Sequence, residues 1–469
     1  MLLLCKSVSE VKGLVAFRDL KSKKQGLYID PDGNGWWYFH VEQSAKARMD
    51  QDGLKCTTRA LFTACPHFLT ELILIHVEGQ FDDYIVKVND VQSIEIRLTK
   101  TLKKLSDRHG SGRLSLRRLT NFVSYYINST EVIDPIYIDF SYAVNMYTTR
   151  VSRSYANVTD KNRCKQLKKL WGDVETSCKI QSGIEIPISL FDLKLWSDKD
   201  TNIGSSFTPK EASVQRLISG LLIKIEESKP SYYNQMNDLF AYHNAFTVYT
   251  AWMLLFGTGY RAAWNPLPTL SLFVPSLNLM CISDKDDSDF THSRIVAVSS
   301  TLTSQLNEYK RHLKCLRGML RILKPDLCGY IDRIVDVDQL VLNYDFDQAS
   351  KWYKTIRNSR TEHGPFFVFL KQKSGVVTRS LSPTQLVNMF DDVIKLPLNA
   401  GRHWLKSRLL EMETDSELIN FQVGHWQAGE VPLGDYSALS HIEAIQELLP
   451  TIDELFLEVG WQPIQSVLS

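Results

Sequence analysis

The sequence has no Cys-x-x-Cys pair: its eight cysteines, Cys5, Cys56, Cys65, Cys164, Cys178, Cys281, Cys315 and Cys328, are scattered along the chain. That argues against a zinc knuckle or ribbon and points to a reducing, intracellular setting. It has no apolar run of about 18 residues, the length of a spanning helix. The opening MLLLCKSVSEVKG carries too short an apolar run for a signal-peptide core followed by a cleavage site. There is no internal repeat and no low-complexity tract. Basic residues are missing from one region altogether: from Glu411 onward there are eleven acids and no Lys or Arg.

A net charge of +1 over 469 residues hides this asymmetry. From Arg97 to Arg118 eight Lys/Arg accompany the single acid Asp107, and from Arg153 to Lys169 six accompany the single acid Asp160. Such a distribution suits one face for a polyanion and another for a different partner; solvated helix faces are the plainer alternative. With 44% apolar and 23% charged residues, the chain reads as folded protein. Its length calls for two or three domains and a sizeable core.

Residues 1–90 have no readable role. YIDPDGNGWWYFHV at 28–41 is expected to be a turn followed by a strand, with Trp36 and Trp37 either core or a binding patch. Residues 91–183 read as a basic helical domain. SIEIRLTKTLKKLSDRH places Ile94, Ile96, Leu98, Leu102 and Leu105 close to one face, and CKQLKKLWGDVETSCKI repeats the theme. Periodicity is lost over 184–210, a linker, after which Thr208, Pro209 and Glu211 spell a helix start with Thr208 as the cap. A larger domain then runs over 211–469. HNAFTVYTAWMLLFG at 243–257 is expected to be a buried helix. SLNLMCISD and SRIVAVSS are short strands around the turn KDDSDF, and a long amphipathic helix begins at residue 300. FFVFL at 366–370 is a strand, and 382–394 and 398–411 are helices. The fold class is mainly α with a small β component.

Several segments carry chemistry-bearing residues. Gly257-Thr-Gly259-Tyr-Arg261 aims an arginine from a tight turn, and a guanidinium offers a rigid donor fork for phosphate oxygens. Lys285 sits in the strand–turn–strand segment, crowded by Asp284, Asp286, Asp287 and Asp289. That turn lacks the glycine and terminal Glu of a calcium loop. His403 and Lys406, three apart on one helix, share a face; Arg402 is adjacent but reads as lying on a different side. Gly424-His425 follows, and Tyr436 comes eleven residues after His425.

In this order the motifs resemble the catalytic domain of the tyrosine recombinase (phage-integrase-type) superfamily over 243–440, and the basic helical stretch before it resembles that family's core-binding domain. The resemblance implies an α+β catalytic domain behind a helical DNA-binding domain. It implies Tyr436 as nucleophile, with Arg261, Lys285, His403, Lys406 and His425 around the scissile phosphate. Tyrosine is a weak nucleophile at its free pKa near 10, so it needs a clamped phosphate and a base; His425 or His403 could take the proton. The family has His-x-x-Arg where this chain has His403-Trp404-Leu405-Lys406. Lysine keeps the charge and loses the fork, a loss Arg402 could compensate. Trp264 stands where the family often has an acid.

The resemblance further implies double-stranded DNA as partner, a tetramer of protomers on two duplexes, no metal or high-energy cofactor, no membrane, and a cytoplasmic enzyme of a mobile genetic element, nucleoid-associated when bound. Lys100, Lys103, Lys104, Arg117, Arg118, Lys165 and Lys168 are the candidate phosphate contacts of residues 91–183, whose affinity would fall with salt. The acidic segment IEAIQELLPTIDELFLEVG suits a neighbouring protomer or a plain surface helix. Three rivals stand beside this reading: a non-catalytic DNA-binding protein on the same scaffold, a helical interaction module, and a topoisomerase sharing the tyrosine chemistry.

Overall fold

The computed structural model describes residues 4–22, 24–40, 53–78, 81–86, 91–110, 114–144, 150–183, 201–231, 236–261, 272–283, 293–335, 366–373, 376–389, 393–426 and 440–468. The protein is mainly α-helical with small mixed and antiparallel sheets. It divides into two compact units, Met1–Ala47 with Cys56–Ser205 and Arg48–Lys55 with Ser206–Ser469. Among the described residues no helix is long and apolar enough to cross a membrane. Most of the linker 184–210, residues 184–200, lies outside the described residues.

The first unit holds a five-stranded mixed sheet. Strands β1 (Val15–Phe17), β2 (Gly26–Ile29), β3 (Gly35–His40), β4 (Ala60–Ala64) and β5 (Asp83–Tyr84) stand in the order β4-β3-β2-β1-β5. The turn before β3 is fixed by Asp30, which accepts from the Asn34 backbone N–H at 2.7 Å and from Trp36 Nε1 at 2.9 Å. Trp36 packs with Phe17, Tyr28 and Tyr38 in the sheet core, and Trp37 is buried as well. The pair is core, because aromatics on a covered pleated sheet gain more by burial than by waiting for a ligand.

Residues 91–183 carry the helices Val91–His109, Leu116–Thr120, Phe122–Thr130, Ile136–Tyr142, Arg150–Tyr155 and Asp160–Ser182, and the strand β6 (Asn157–Thr159), which pairs antiparallel with β7 (Asn202–Gly204). They fall in the same compact unit as the sheet. Arg163 makes one of the ties, donating to Thr63 Oγ1 and to the Phe62 carbonyl, both at 2.6 Å. In the Val91–His109 helix the inner stripe is narrower than the sequence suggests. Leu102 and Ser106 are buried and Ile94 and Leu98 half-buried, whereas Ile96 and Leu105 are 54% and 40% exposed. The spacing i, i+4, i+8, i+12 explains this: Ile96 is two residues, about 200°, away from Ile94.

The second unit is built around the helix Met236–Thr258, buried from Ala245 to Thr258. Its apolar run forbids a solvent face. The helices Glu211–Glu227, Ser300–Leu323 and Ala400–Glu411 pack on it, with a hairpin of β11 (Val368–Lys373) and β12 (Val376–Ser380). A three-stranded antiparallel sheet, β10-β9-β8, joins β8 (Phe273–Val274), β9 (Leu279–Ser283) and β10 (Ser293–Ala297). Helices Ser416–Val423 and His441–Val459 lie against β10.

The helix expected to begin behind Thr208 begins later, at Glu211, with Lys210 as its cap. Thr208 and Pro209 are occupied in extended pairing: the Lys55 N–H donates to the Thr208 carbonyl at 2.8 Å, and the Lys210 N–H to the Gly53 carbonyl at 2.9 Å. A backbone committed to that ladder cannot also open a helix.

The crossing of Met236–Thr258 with Ala400–Glu411 is set by Gly401. A Cβ there would lie 2.7 Å from the Leu255 carbonyl oxygen and 3.0 Å from the Phe256 Cα, both backbone. Gly401→Ala is therefore expected to destabilise the second unit by at least about 2 kcal/mol, since packed backbones separate only by disturbing their neighbours. A shift of the urea midpoint measures it; an unchanged midpoint would mean that the helices part freely.

A buried hydrogen-bonded chain crosses the same unit. His243 and His312 stack with ring centroids 5.2 Å apart. The Val368 carbonyl can only accept, so His243 Nε2 donates to it at 2.9 Å. His243 Nδ1 then accepts from His312 Nε2 at 2.9 Å, and His312 Nδ1 accepts from Ser466 Oγ at 2.7 Å. Burial lowers His243 to about 4 and His312 well below the ordinary histidine range. Both rings are neutral, as this chain of donors and acceptors requires.

Candidate active site

Two segments meet beside the Ala400–Glu411 helix. The first is the turn after Thr258, where Tyr260 is buried and Arg261 is the last described residue before 272. The second is the end of the Ser416–Val423 helix, capped by Gly424, whose φ of +65° suits the left-handed cap. His425 follows directly. Its N–H donates back to the Asn420 carbonyl at 3.2 Å, which fixes the ring at the helix end.

Arg402 and Lys406 reach that ring from the helix. Arg402 Nη2 lies 3.0 Å from His425 Nε2, and Lys406 Nζ lies 3.2 Å from His425 Nδ1. Contrary to the expectation from the sequence, Arg402 does not lie on a different side from Lys406: residues four apart are offset by only about 40° around a helix, so both share the side that faces His425. Both are 2% exposed. Arg402 Nη1 also donates to the Gly259 carbonyl at 3.0 Å, and Nη2 to the Val423 carbonyl.

His403 is buried one residue along. Asn399 Nδ2 donates to His403 Nε2 at 3.0 Å, and the His403 ring packs 5.6 Å from Phe207. Burial first, and then the charges of Arg402 and Arg261, push His403 down to about 3. His425 lies well below the ordinary range for the same reason, with Lys406, Arg402, Arg294 and Arg261 as the charges. Both imidazoles are therefore neutral.

The neutrality of His425 has a geometric consequence. A neutral imidazole has one accepting nitrogen and one N–H. Its two nitrogens face a guanidinium and an ammonium, both pure donors while charged. One ring N–H consequently points at a cationic donor. An oxygen carrying negative charge, placed among these groups, would accept from all of them.

Of the sequence candidates, Arg261, His403, Lys406 and His425 come together here. Lys285 and Tyr436 lie outside the described residues, as do Trp264 and the acids of the 284–289 turn. Lys100, Lys103, Lys104, Arg117, Arg118, Lys165 and Lys168 belong to the first unit and are all exposed. Two residues of the site were missed. Arg294 is a buried cation in β10, a strand read only for its apolar pattern. Gln422 ties the site's supports together: Nε2 donates to the Gly257 and Ala297 carbonyls at 3.0 and 2.9 Å, and Oε1 accepts from the Ala297 N–H at 2.9 Å. No local signal marks either, since their partners, Gly259 and Gln422 for Arg294 and Gly257 and Ala297 for Gln422, all lie on distant elements.

Among the described residues no group of three or more His, Cys, Asp or Glu could hold a metal ion. No protein-family model matches the chain, and a search of curated proteins returns no match.

Proposed function

We propose that this chain is a site-specific DNA recombinase, an integrase that cleaves and rejoins DNA through a 3′-phosphotyrosine on Tyr436. The observation that carries the reading is a cluster of cations around two neutral histidines: buried Arg402 and Lys406 meet the His425 ring, and buried Arg294 and half-buried Arg261 act on it by charge. Such a cluster suits a phosphoryl group whose charge grows in the transition state. The geometry favours Arg402, rather than Lys406, as the second phosphate-clamping guanidinium. The His-x-x-Arg pattern of the resembled family then falls on Asn399-x-x-Arg402, with asparagine in the first place and Lys406 an additional cation. This removes the main sequence argument for a non-catalytic scaffold, which rested on a lysine replacing the fork.

In the proposed reaction Tyr436 Oη attacks the phosphorus and the bond to the 5′ oxygen breaks. The tyrosine proton passes to a neutral histidine, and the leaving oxygen takes a proton from a nearby cationic acid, for which Lys285 is the sequence candidate. Attack by a 5′-hydroxyl of the partner duplex reverses the step. The phosphodiester's energy is kept in the enzyme–DNA bond. The test is a nicked duplex carrying the ends of the chain's own genetic element. An SDS-resistant protein–DNA band, absent in Tyr436→Phe, is expected. Duplex binding without any band would move the reading to a DNA-binding protein, and relaxation of supercoils without strand exchange to a topoisomerase.

The exposed cations of the first unit are proposed to hold backbone phosphates. Lys103→Ala and Lys104→Ala together should weaken binding to all sequences alike. They should also make the slope of log affinity against log salt shallower by about 0.9 per lost phosphate contact. An unchanged slope would remove these two lysines from the interface.

A further inference from the structure

We propose that Arg294 is a positioning residue of this site, one that clamps the Gly424–His425 turn and the Gly259 carbonyl so that His425 is presented in a single orientation. The inference rests on the recombinase reading for its kinetic consequences, though not for its structural ones.

Arg294 stands in β10 opposite Ile282 of β9 and is 6% exposed. Its side chain runs through the space that any side chain on residue 424 would take. A Cβ on Gly424 would sit 2.7 Å from Arg294 Cδ and 3.2 Å from its Nε. Glycine at 424 thus serves two purposes, the left-handed helix cap and the passage of Arg294. Beyond that passage Arg294 Nε donates to the Gln422 carbonyl at 3.3 Å, and Nη2 reaches the Gly259 carbonyl at 3.5 Å.

These acceptors interlock with those of Arg402. Arg402 takes the same Gly259 carbonyl and the next carbonyl of the helix end, Val423. Two guanidiniums from different elements thereby bind consecutive carbonyls at one helix C-terminus, where the dipole favours cations, and share a third carbonyl two residues before Arg261. Gln422 completes the grip by pairing its side chain with the backbone of Ala297 in the same strand. A rigid planar fork can hold two carbonyls at fixed separation; an ammonium acts as a point charge and cannot. The groups that face His425 are Arg402 and Lys406 from the helix, Arg294 from the strand and Arg261 from the turn. Arg294 therefore acts on His425 through its field and through the turn it clamps.

The test uses the full chain with Arg294→Lys, which keeps the charge and loses the fork, and Arg294→Gln, which is shorter, keeps an amide donor and removes the charge, with circular dichroism to check that both fold. With ¹³C-labelled histidine, the His425 resonance, assigned by its loss in His425→Asn, reports orientation without DNA. It is expected to be single in the wild type and shifted or doubled in Arg294→Lys. Adduct formation on the nicked duplex should fall on the order of 10- to 100-fold in Arg294→Lys, the size expected for a misplaced group, with duplex affinity nearly unchanged. Arg294→Gln should also move the acid limb of the rate profile to higher pH, and Arg294→Lys should restore that limb. A wild-type His425 signal and an unaltered rate in Arg294→Lys would overturn the proposal. If the wild type forms no adduct, the recombinase reading fails, and the resonance alone decides the role of Arg294.

Discussion

Arg402→Gln is expected to slow adduct formation by about 10²–10³-fold, the loss seen when a buried donor to a developing oxyanion is removed. The size follows from how many jobs the residue combines. Its guanidinium is 2% exposed, binds the Gly259 and Val423 carbonyls and meets His425 Nε2 at 3.0 Å. Glutamine preserves one amide donor, loses the charge and cannot reach all three partners. Lys406→Arg should not raise the rate. Lys406 is equally buried and already 3.2 Å from His425, so a larger group would have to displace packed neighbours. Time courses on the nicked duplex, with circular dichroism to check folding, separate the cases. A rate in Arg402→Gln near wild type, with Lys406→Arg faster, would return the clamp to Lys406.

Acidification is expected to unfold the second unit well before carboxylates protonate. His243, His312, His403 and His425 all lie in it with folded pKa values below the ordinary 6.5. A group whose folded pKa is lowered leaves the unfolded state holding more protons below 6.5. Stability is complete above that pH and falls as pH drops toward the folded values. His243, lowered to about 4, alone accounts for a loss of about 2 kcal/mol by pH 5 at roughly 1.4 kcal/mol per unit below 6.5. The other three act in the same direction. Urea midpoints at pH 7.5, 6 and 5, followed by the fluorescence of the buried Trp252, Trp404 and Trp461, should drop steadily. A flat response across that range would mean that these rings are not held neutral.

The long helices and short strands of the second unit were legible because burial writes itself into period and composition. The Met236–Thr258 helix needs no partner to be recognised, and the β9–β10 pair announces itself by two apolar runs around a polar turn. What stayed hidden depended on distant chain. Nothing near Thr208 shows that Gly53–Lys55 will take its backbone. Arg294 looks like an ordinary strand residue until Gly424, 130 positions away, leaves room for it. Arg402 is a different case: its four-residue offset from Lys406 was visible in the sequence. The His-x-x-Arg spacing of the resembled family draws attention to the three-residue pair His403 and Lys406 and away from the four-residue one. The seven exposed cations of residues 91–183 are legible as charge, whereas Ile96 and Leu105, expected close to the face of Ile94 and Leu102, are exposed.

The segment 461–468 is held in a manner with consequences for its own variability. Tyr249 Oη donates to the Gln462 carbonyl at 2.7 Å, Gln305 Oε1 accepts from the Ile464 N–H at 2.8 Å, and Tyr242 Oη from the Val467 N–H at 2.9 Å. The helices thus grip main chain rather than side chains, as grooves that bind extended peptides do. Gln462, Pro463, Gln465 and Val467 are exposed, so a wide range of residues at these positions leaves the grip intact. Trp461, sunk beside Tyr249 and Phe456, Ser466, the end of the histidine chain, and Leu468 are the three buried side chains it does read. Selection on this stretch should therefore fall on three letters and on the exclusion of proline at 464 and 467, where the donated N–H would vanish. The receptor residues Tyr242, Tyr249 and Gln305 carry the rest of the constraint.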